Sequence, residues 1–163
     1  MEFNAPWSDT LRMMSAGGSV VVLGAAALAA RKLAVWFRAV VAVVAVGFLV
    51  GSWGLAPSGY SVDGQTLTVK RPLGDEVIQR AEITAARMFG EADSEGMTRT
   101  GGNGGLFGYY GKYKSDRLGE HRWYVTDTAR RVVVETREGA VVVSPDDPEK
   151  FIAVVKPEEQ VSK

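Results

Sequence analysis

Two uncharged apolar stretches lie almost back to back near the N-terminus, Met13–Ala30 and Ala39–Leu55. The short segment between them carries Arg31, Lys32 and Arg38. Each stretch is close to the roughly 20 residues that a helix needs to cross a hydrocarbon core of about 30 Å. The rest of the chain offers too little apolar surface to bury two such helices in a soluble core. The sequence therefore reads as a transmembrane hairpin over residues 1–58, with spans at 13–30 and 33–55. One further domain at 59–157 and a tail at 158–163 complete it.

Details of the hairpin fit this reading. Gly17, Gly18 and Gly24 allow the close helix approach that packs helices in lipid. Trp36, Phe37 and Trp53 stand near the two ends of the second span, where aromatic rings favour the headgroup level. Pro57 and Gly59 then release the chain from helix. A cleaved signal peptide is the alternative, since Ala27-Leu28-Ala29 has the small-x-small form of a cleavage site. Against it, the preceding segment holds Glu2 and Asp9 with one cation, Arg12, whereas signal peptides begin basic. Cation bias places the connecting loop in the cytoplasm and both termini outside. The expectation is an integral inner-membrane protein with two spans and an extracytoplasmic domain. Cleavage after Ala29 would reverse that orientation.

Lysine plus arginine (19) equals aspartate plus glutamate (19), so no nucleic-acid footprint is expected. Cysteine is absent, which excludes disulfides, cysteine nucleophiles, thiolate zinc sites and cysteine-ligated iron–sulfur clusters.

From Tyr60 onward the apolar period changes to two. Tyr60–Asp63 and Thr66–Arg71 read as a hairpin around Asp63-Gly64, a favoured two-residue turn. Glu76–Arg80 reads as a strand and Ile83–Phe89 as another, with Ala81, Ala85 and Ala86 leaving a short helix open there. After a glycine cluster at 101–111 come four strands, at Gly111–Ser115, Glu120–Thr126, Arg131–Thr136 and Ala140–Ser144. In the second of these, Trp123 and Val125 share one face, and Arg122, Tyr124 and Thr126 the other. Asp147 as N-cap, Pro148 in the first turn and Glu149 at the positive helix end predict a closing helix over 147–156. Phe151, Ile152, Val154 and Val155 form its apolar face, and Pro157 ends it. The expected class is α+β: a helical hairpin, then a mainly antiparallel β-barrel or sandwich with a helix across one end.

Several segments together resemble a known family. They are the Tyr-x-Val-x-x-x-x-Leu-x-Val pattern at 60–69, Arg99-Thr-Gly-Gly-Asn-Gly-Gly-Leu-Phe-Gly108, and Gly111-Lys-Tyr with Leu118-Gly119. Arg122-Trp-Tyr-Val-Thr126 and Ser144-Pro-Asp-Asp-Pro-Glu-Lys-Phe151 complete the set. Residues 60–156 are similar to the bacterial pleckstrin-homology-like domains of small membrane proteins. The resemblance implies a partly open barrel of about seven strands capped by the C-terminal helix; it implies little about activity, since the fold serves many binding functions. A basic phosphoinositide pocket does not follow, because Lys112, Lys114 and Arg117 are interspersed with Asp116 and Glu120.

Catalytic chemistry finds no support. Gly111-Lys112 is followed by Tyr113 rather than Ser or Thr, and Phe107 stands where a dinucleotide fingerprint needs glycine. The glycine cluster reads more simply as a mobile loop or a sharply bent edge strand. Its functional version is a binding lip, with Leu106, Phe107, Tyr109 and Tyr110 offering apolar surface to a protein partner, a lipid or a second copy. His121, the sole histidine, reads as an ordinary surface or half-buried strand residue. Ser144 lacks a nucleophile motif and fits a turn. Asp146, Asp147 and Glu149 depart from the calcium-loop spacing. Arg130, Arg131 and Arg137 are candidate basic contacts to headgroups or an acidic partner, set against a solvated hairpin tip. The sequence thus predicts no cofactor, no metal and no catalytic residue. It predicts a membrane-held interaction module for an unidentified protein or its own copies, with headgroup or small-ligand binding as the alternative.

Overall fold

The computed structural model describes residues 1–156, so Pro157 and the 158–163 tail lie outside the described residues. A three-residue strand, β1 (Glu2–Asn4), precedes the two long helices α1 (Asp9–Ala30) and α2 (Val35–Gly54). Ser8 caps α1, its Oγ accepting from the Leu11 N–H at 3.2 Å. Both helices are long and apolar enough to cross a membrane, and most of their length is exposed. The strands β2 (Gly59–Val62), β3 (Thr66–Lys70) and β4 (Glu76–Gln79) join β1 in a four-stranded antiparallel sheet of order β1-β2-β3-β4. Because β1 and β2 are neighbours, the chain leaves this sheet into the hairpin and returns to the same edge.

A second sheet holds β5 (Ile83–Met88), β6 (Thr98–Gly104), β7 (Tyr109–Ser115), β8 (Gly119–Val125), β9 (Val132–Thr136) and β10 (Gly139–Val143). Its order is β5-β9-β10-β8-β7-β6, antiparallel throughout except that β10 runs parallel to β8. The helix α3 (Pro148–Val155) closes the domain, with the Asp147 carboxylate capping the Lys150 N–H at 3.1 Å.

The principal core lies between the two sheets. Tyr60, Val62, Leu67, Val69 and Ile78 from the first meet Tyr124, Val132, Val134, Val141 and Val143 from the second, with Phe151 and Val155 of α3 across the end. A second cluster on the far face of the six-stranded sheet holds Tyr113, Trp123, Val125, Val133 and Val142, partly covered by Phe89 and Met97. The triple valines Val132–Val134 and Val141–Val143 are buried throughout because this sheet is covered on both faces.

The expected mainly antiparallel sheets with a helix across one end are present, but the sheets do not close into a barrel. Closure needs an unbroken ladder around the strands. Here one 3-10 turn, Arg80–Glu82, carries the chain from β4 in one sheet to β5 in the other. The alternative helix around Ala81–Ala86 is therefore a short turn followed by a strand. The glycine cluster is the edge strand β6, bent by a register shift between Arg99 and Gly101.

A buried polar hub ties the two sheets together. The Tyr60 hydroxyl donates to the Tyr124 carbonyl at 2.7 Å and accepts the Ser144 N–H at 3.0 Å. The Ser144 Oγ in turn accepts the N–H groups of Thr126 at 2.9 Å and Asp127 at 3.2 Å. Burial pushes the Tyr60 phenol up to about 12, so it stays neutral and donates.

Candidate functional site

The glycine–aromatic segment between β6 and β7 meets the helical hairpin. Asn103 staples it: its amide nitrogen donates to the Leu106 carbonyl at 3.0 Å, and its Oδ1 accepts the Leu106 N–H at 3.1 Å. The turn closes with the Gly105 N–H on the Gly108 carbonyl at 3.0 Å, and Phe107 takes the positive φ of 65°.

This turn faces inward. The Phe107 N–H donates to the Ser15 Oγ of α1 at 2.8 Å, and its ring lies 6.2 Å from that of Trp7. The Tyr110 hydroxyl donates to the Ser52 carbonyl of α2 at 2.8 Å, and Tyr110 is only 8 % exposed. Leu106 packs beside Gly18 so closely that a Cβ there would lie 3.1 Å from its Cδ1. Tyr109 is half-buried, its hydroxyl 3.7 Å from the Met14 sulfur. Leu106, Phe107, Tyr109 and Tyr110 are thus brought together, and what they contact is the hairpin of their own chain. Ser15 and Ser52 are site residues that the sequence reading missed. The only signal was a polar residue on an otherwise apolar helix face.

The three candidate arginines are not brought together. Arg130 and Arg131 stand before β9, and Arg137 after it. Arg130 donates to the Asp146 carbonyl at 3.0 Å and pairs with Asp127 at 3.5 Å. Arg131 lies over the Phe89 ring, 4.1 Å from its centroid, and 5.7 Å from that of Trp123. Burial lowers the Arg131 guanidinium below its ordinary value. Arg130 is exposed at the tip before β9 and Arg137 on the β9–β10 turn, while Arg131 is half-buried.

The segment beneath Arg131 is clamped by a charge. Asp93 is fully buried and accepts two bonds from Arg87, at 2.7 and 2.8 Å, together with the Gly90 N–H at 2.7 Å. Arg117 adds a contact at 3.5 Å. The Arg87 hydrogen bonds hold the Asp93 carboxyl below its ordinary 3.8, with burial opposing them. A depressed folded value means that the unfolded chain binds the proton more readily. The clamp is therefore at full strength above pH 3.8 and is lost as the pH falls through the lower folded value. Asp93→Asn is expected to lower stability at neutral pH by about 1–3 kcal/mol. The variant and parent denaturation midpoints should converge in acid, and a constant gap across that range would overturn this role.

His121 is buried, which corrects its reading as a surface or half-buried residue. Its Nδ1 lies 2.9 Å from the Gly119 carbonyl, and its ring stacks with Tyr113 at 6.3 Å. Among the described residues, no group of three or more histidine, cysteine or carboxylate side chains is placed to hold a metal. A concavity of about 330 Å³ lies at the end of β8 and β10 away from the hairpin, lined by Lys112, Glu120, Arg122 and Glu138 among others. Its charges are mixed in sign.

Comparison with known proteins adds the family. Neither the curated proteins nor the solved structures contain a match to this chain. The Bacterial PH domain family matches residues 58–158, which covers both sheets from β2 onward and the closing helix. By that match over more than half its length, the chain belongs to the bacterial PH domain family.

Proposed function

We propose that this protein is a membrane-anchored, non-catalytic PH module that contacts another protein, or a second copy of itself, through the edge strand β6. One observation carries this reading. β6 is the outermost strand of its sheet, and all of its residues except Asn103 are exposed. An outer strand offers backbone N–H and C=O groups to an incoming strand, and the glycines here leave few side chains in the way. A hairpin that confines the domain to a membrane plane raises its effective concentration, so a weak edge contact suffices. The exposed apolar faces of α1 and α2 support the anchoring. Packing of β1 against β2 and of Phe3 against Phe151 supports retention of the N-terminal segment. The cation bias supports a cytoplasmic loop and an extracytoplasmic domain.

Thr100→Cys tests both parts, since the chain has no other cysteine and Thr100 is exposed near the midpoint of β6. Antiparallel pairing of two β6 strands centred near Thr100 brings such cysteines within disulfide range. Oxidation of membranes is expected to give a dimer, or an adduct of other mass if the partner is a different protein. Absence of both removes the edge reading. It would leave ligand binding at the concavity near Lys112 and Arg122 as the alternative. Labelling of the same cysteine in intact cells by an impermeant thiol reagent is expected. Protection until lysis places the domain inside instead.

A further inference from the structure

The length of the hairpin constrains how deep the β domain sits. At 1.5 Å per residue, α2 is about 30 Å long, so it spans a core of about 30 Å only if nearly all of it is immersed. The basic residues Arg31, Lys32 and Arg38 fix one end at the headgroups. Measured from the helix ends at this loop, Ala30 and Val35, the opposite boundary falls near Leu11 of α1 and Gly54 of α2. At that level the helices are already touching the β domain. Ser15 holds the Phe107 N–H at 2.8 Å, Ser52 holds the Tyr110 hydroxyl at 2.8 Å, and the Gly54 carbonyl holds the Leu73 N–H at 2.8 Å. Tilting the hairpin shortens its reach across the bilayer and draws these contacts deeper.

We infer that the β domain does not stand clear of the bilayer. Its β3–β4 turn at Pro72–Gly74 and its glycine–aromatic turn at Gly105–Tyr109 are sunk into the lipid interface as a wedge around the helix exit. The proposal rests on the membrane reading of the hairpin and specifies its partner as the lipid surface itself. Exposure at this level supports it. Leu73 is 61 % exposed at the tip of an otherwise polar turn, beside the exposed Trp53 and Leu55. Met13 and Met14 are exposed on the α1 side. Asp9 and Arg12 lie on the outer turn of α1, and the long Arg12 side chain reaches outward to headgroups. Burying apolar side chains of this size in the interface is favourable by about 25 cal/mol for each Å² removed from water. Their exposure in the protein alone is then no liability.

The test uses the full chain reconstituted in phosphatidylcholine vesicles. An environment-sensitive fluorophore is placed on Leu73→Cys, on Val43→Cys in mid-α2 and on Gly64→Cys in the β2–β3 turn. Both Leu73 and Val43 are exposed, so the labels do not disturb packing. The Leu73 label is expected to shift to the blue relative to Gly64, and to be quenched more by lipids brominated near the headgroup than near the chain ends. The Val43 label should show the reverse depth preference. A Leu73 label that matches Gly64 while Val43 is quenched overturns the wedge and leaves the transmembrane hairpin standing. An unquenched Val43 label overturns both.

Discussion

Phe151→Ala is expected to destabilise the domain by about 3–5 kcal/mol, the range for removing a fully buried phenylalanine. That is a large share of the roughly 5–15 kcal/mol that holds a typical domain together. The ring meets Phe3 edge-on at 5.2 Å and Tyr60 at 6.0 Å, so one truncation strips contacts from β1, from the polar hub and from α3 itself. α3 has eight residues, far too few to persist without packing. Its exposed neighbour Lys150 makes the control, since Lys150→Ala should change stability by no more than about 0.5 kcal/mol. Denaturant midpoints of the two variants in the same detergent decide the matter. A cost for Phe151→Ala no larger than that of Lys150→Ala would mean that the helix is not what closes the core.

α3 was legible because its signals are local: an N-cap, a proline in the first turn, and apolar residues at helical spacing. The β2–β3 hairpin was legible for the same reason. Asp63 both supplies the turn and closes it, its carboxylate accepting the Gln65 and Thr66 N–H groups at 2.8 and 2.7 Å. The features that escaped are decided by distant partners. β1 is three residues long and becomes a strand only because β2 returns beside it from the far end of the hairpin. The parallel pairing of β10 with β8 depends on β9 folding outward, which no alternation pattern encodes. β6 was ambiguous because its glycines erase the two-residue period. The burial of His121 was available in principle, since it shares a strand face with Trp123 and Val125. The separation of Arg137 from Arg130 and Arg131 also follows once a strand is placed between them. The inward turn of Phe107 and Tyr110 does not follow, because loop aromatics carry no mark of the surface they meet.

Gly111→Ala is expected to detach β6 while leaving the rest of the domain folded. Gly111 and Gly102 are directly paired across the β6–β7 ladder, with φ of 127° and 101° respectively. A Cβ on Gly111 would lie 2.3 Å from the Gly101 carbonyl oxygen and 2.6 Å from the Gly102 Cα, both backbone atoms with no rotamer to yield. The positive φ alone costs about 1–3 kcal/mol for a residue with a side chain. An outermost strand secured on one edge has little reserve against that sum, so the strain is relieved by peeling β6 away. Hydrogen exchange is the readout. Amides of residues 98–104 should lose protection, while those of β8, β9 and β10 keep theirs. Gly64→Ala should leave both sets unchanged, because a Cβ there meets nothing within 4 Å. Retained protection of residues 98–104 in Gly111→Ala would show that the paired glycines are dispensable. The outcome also bears on function. If β6 is the contact edge, Gly111→Ala combined with Thr100→Cys loses the oxidative cross-link without loss of the membrane-inserted protein. A cross-link that persists after β6 has come free would locate the contact elsewhere on the domain.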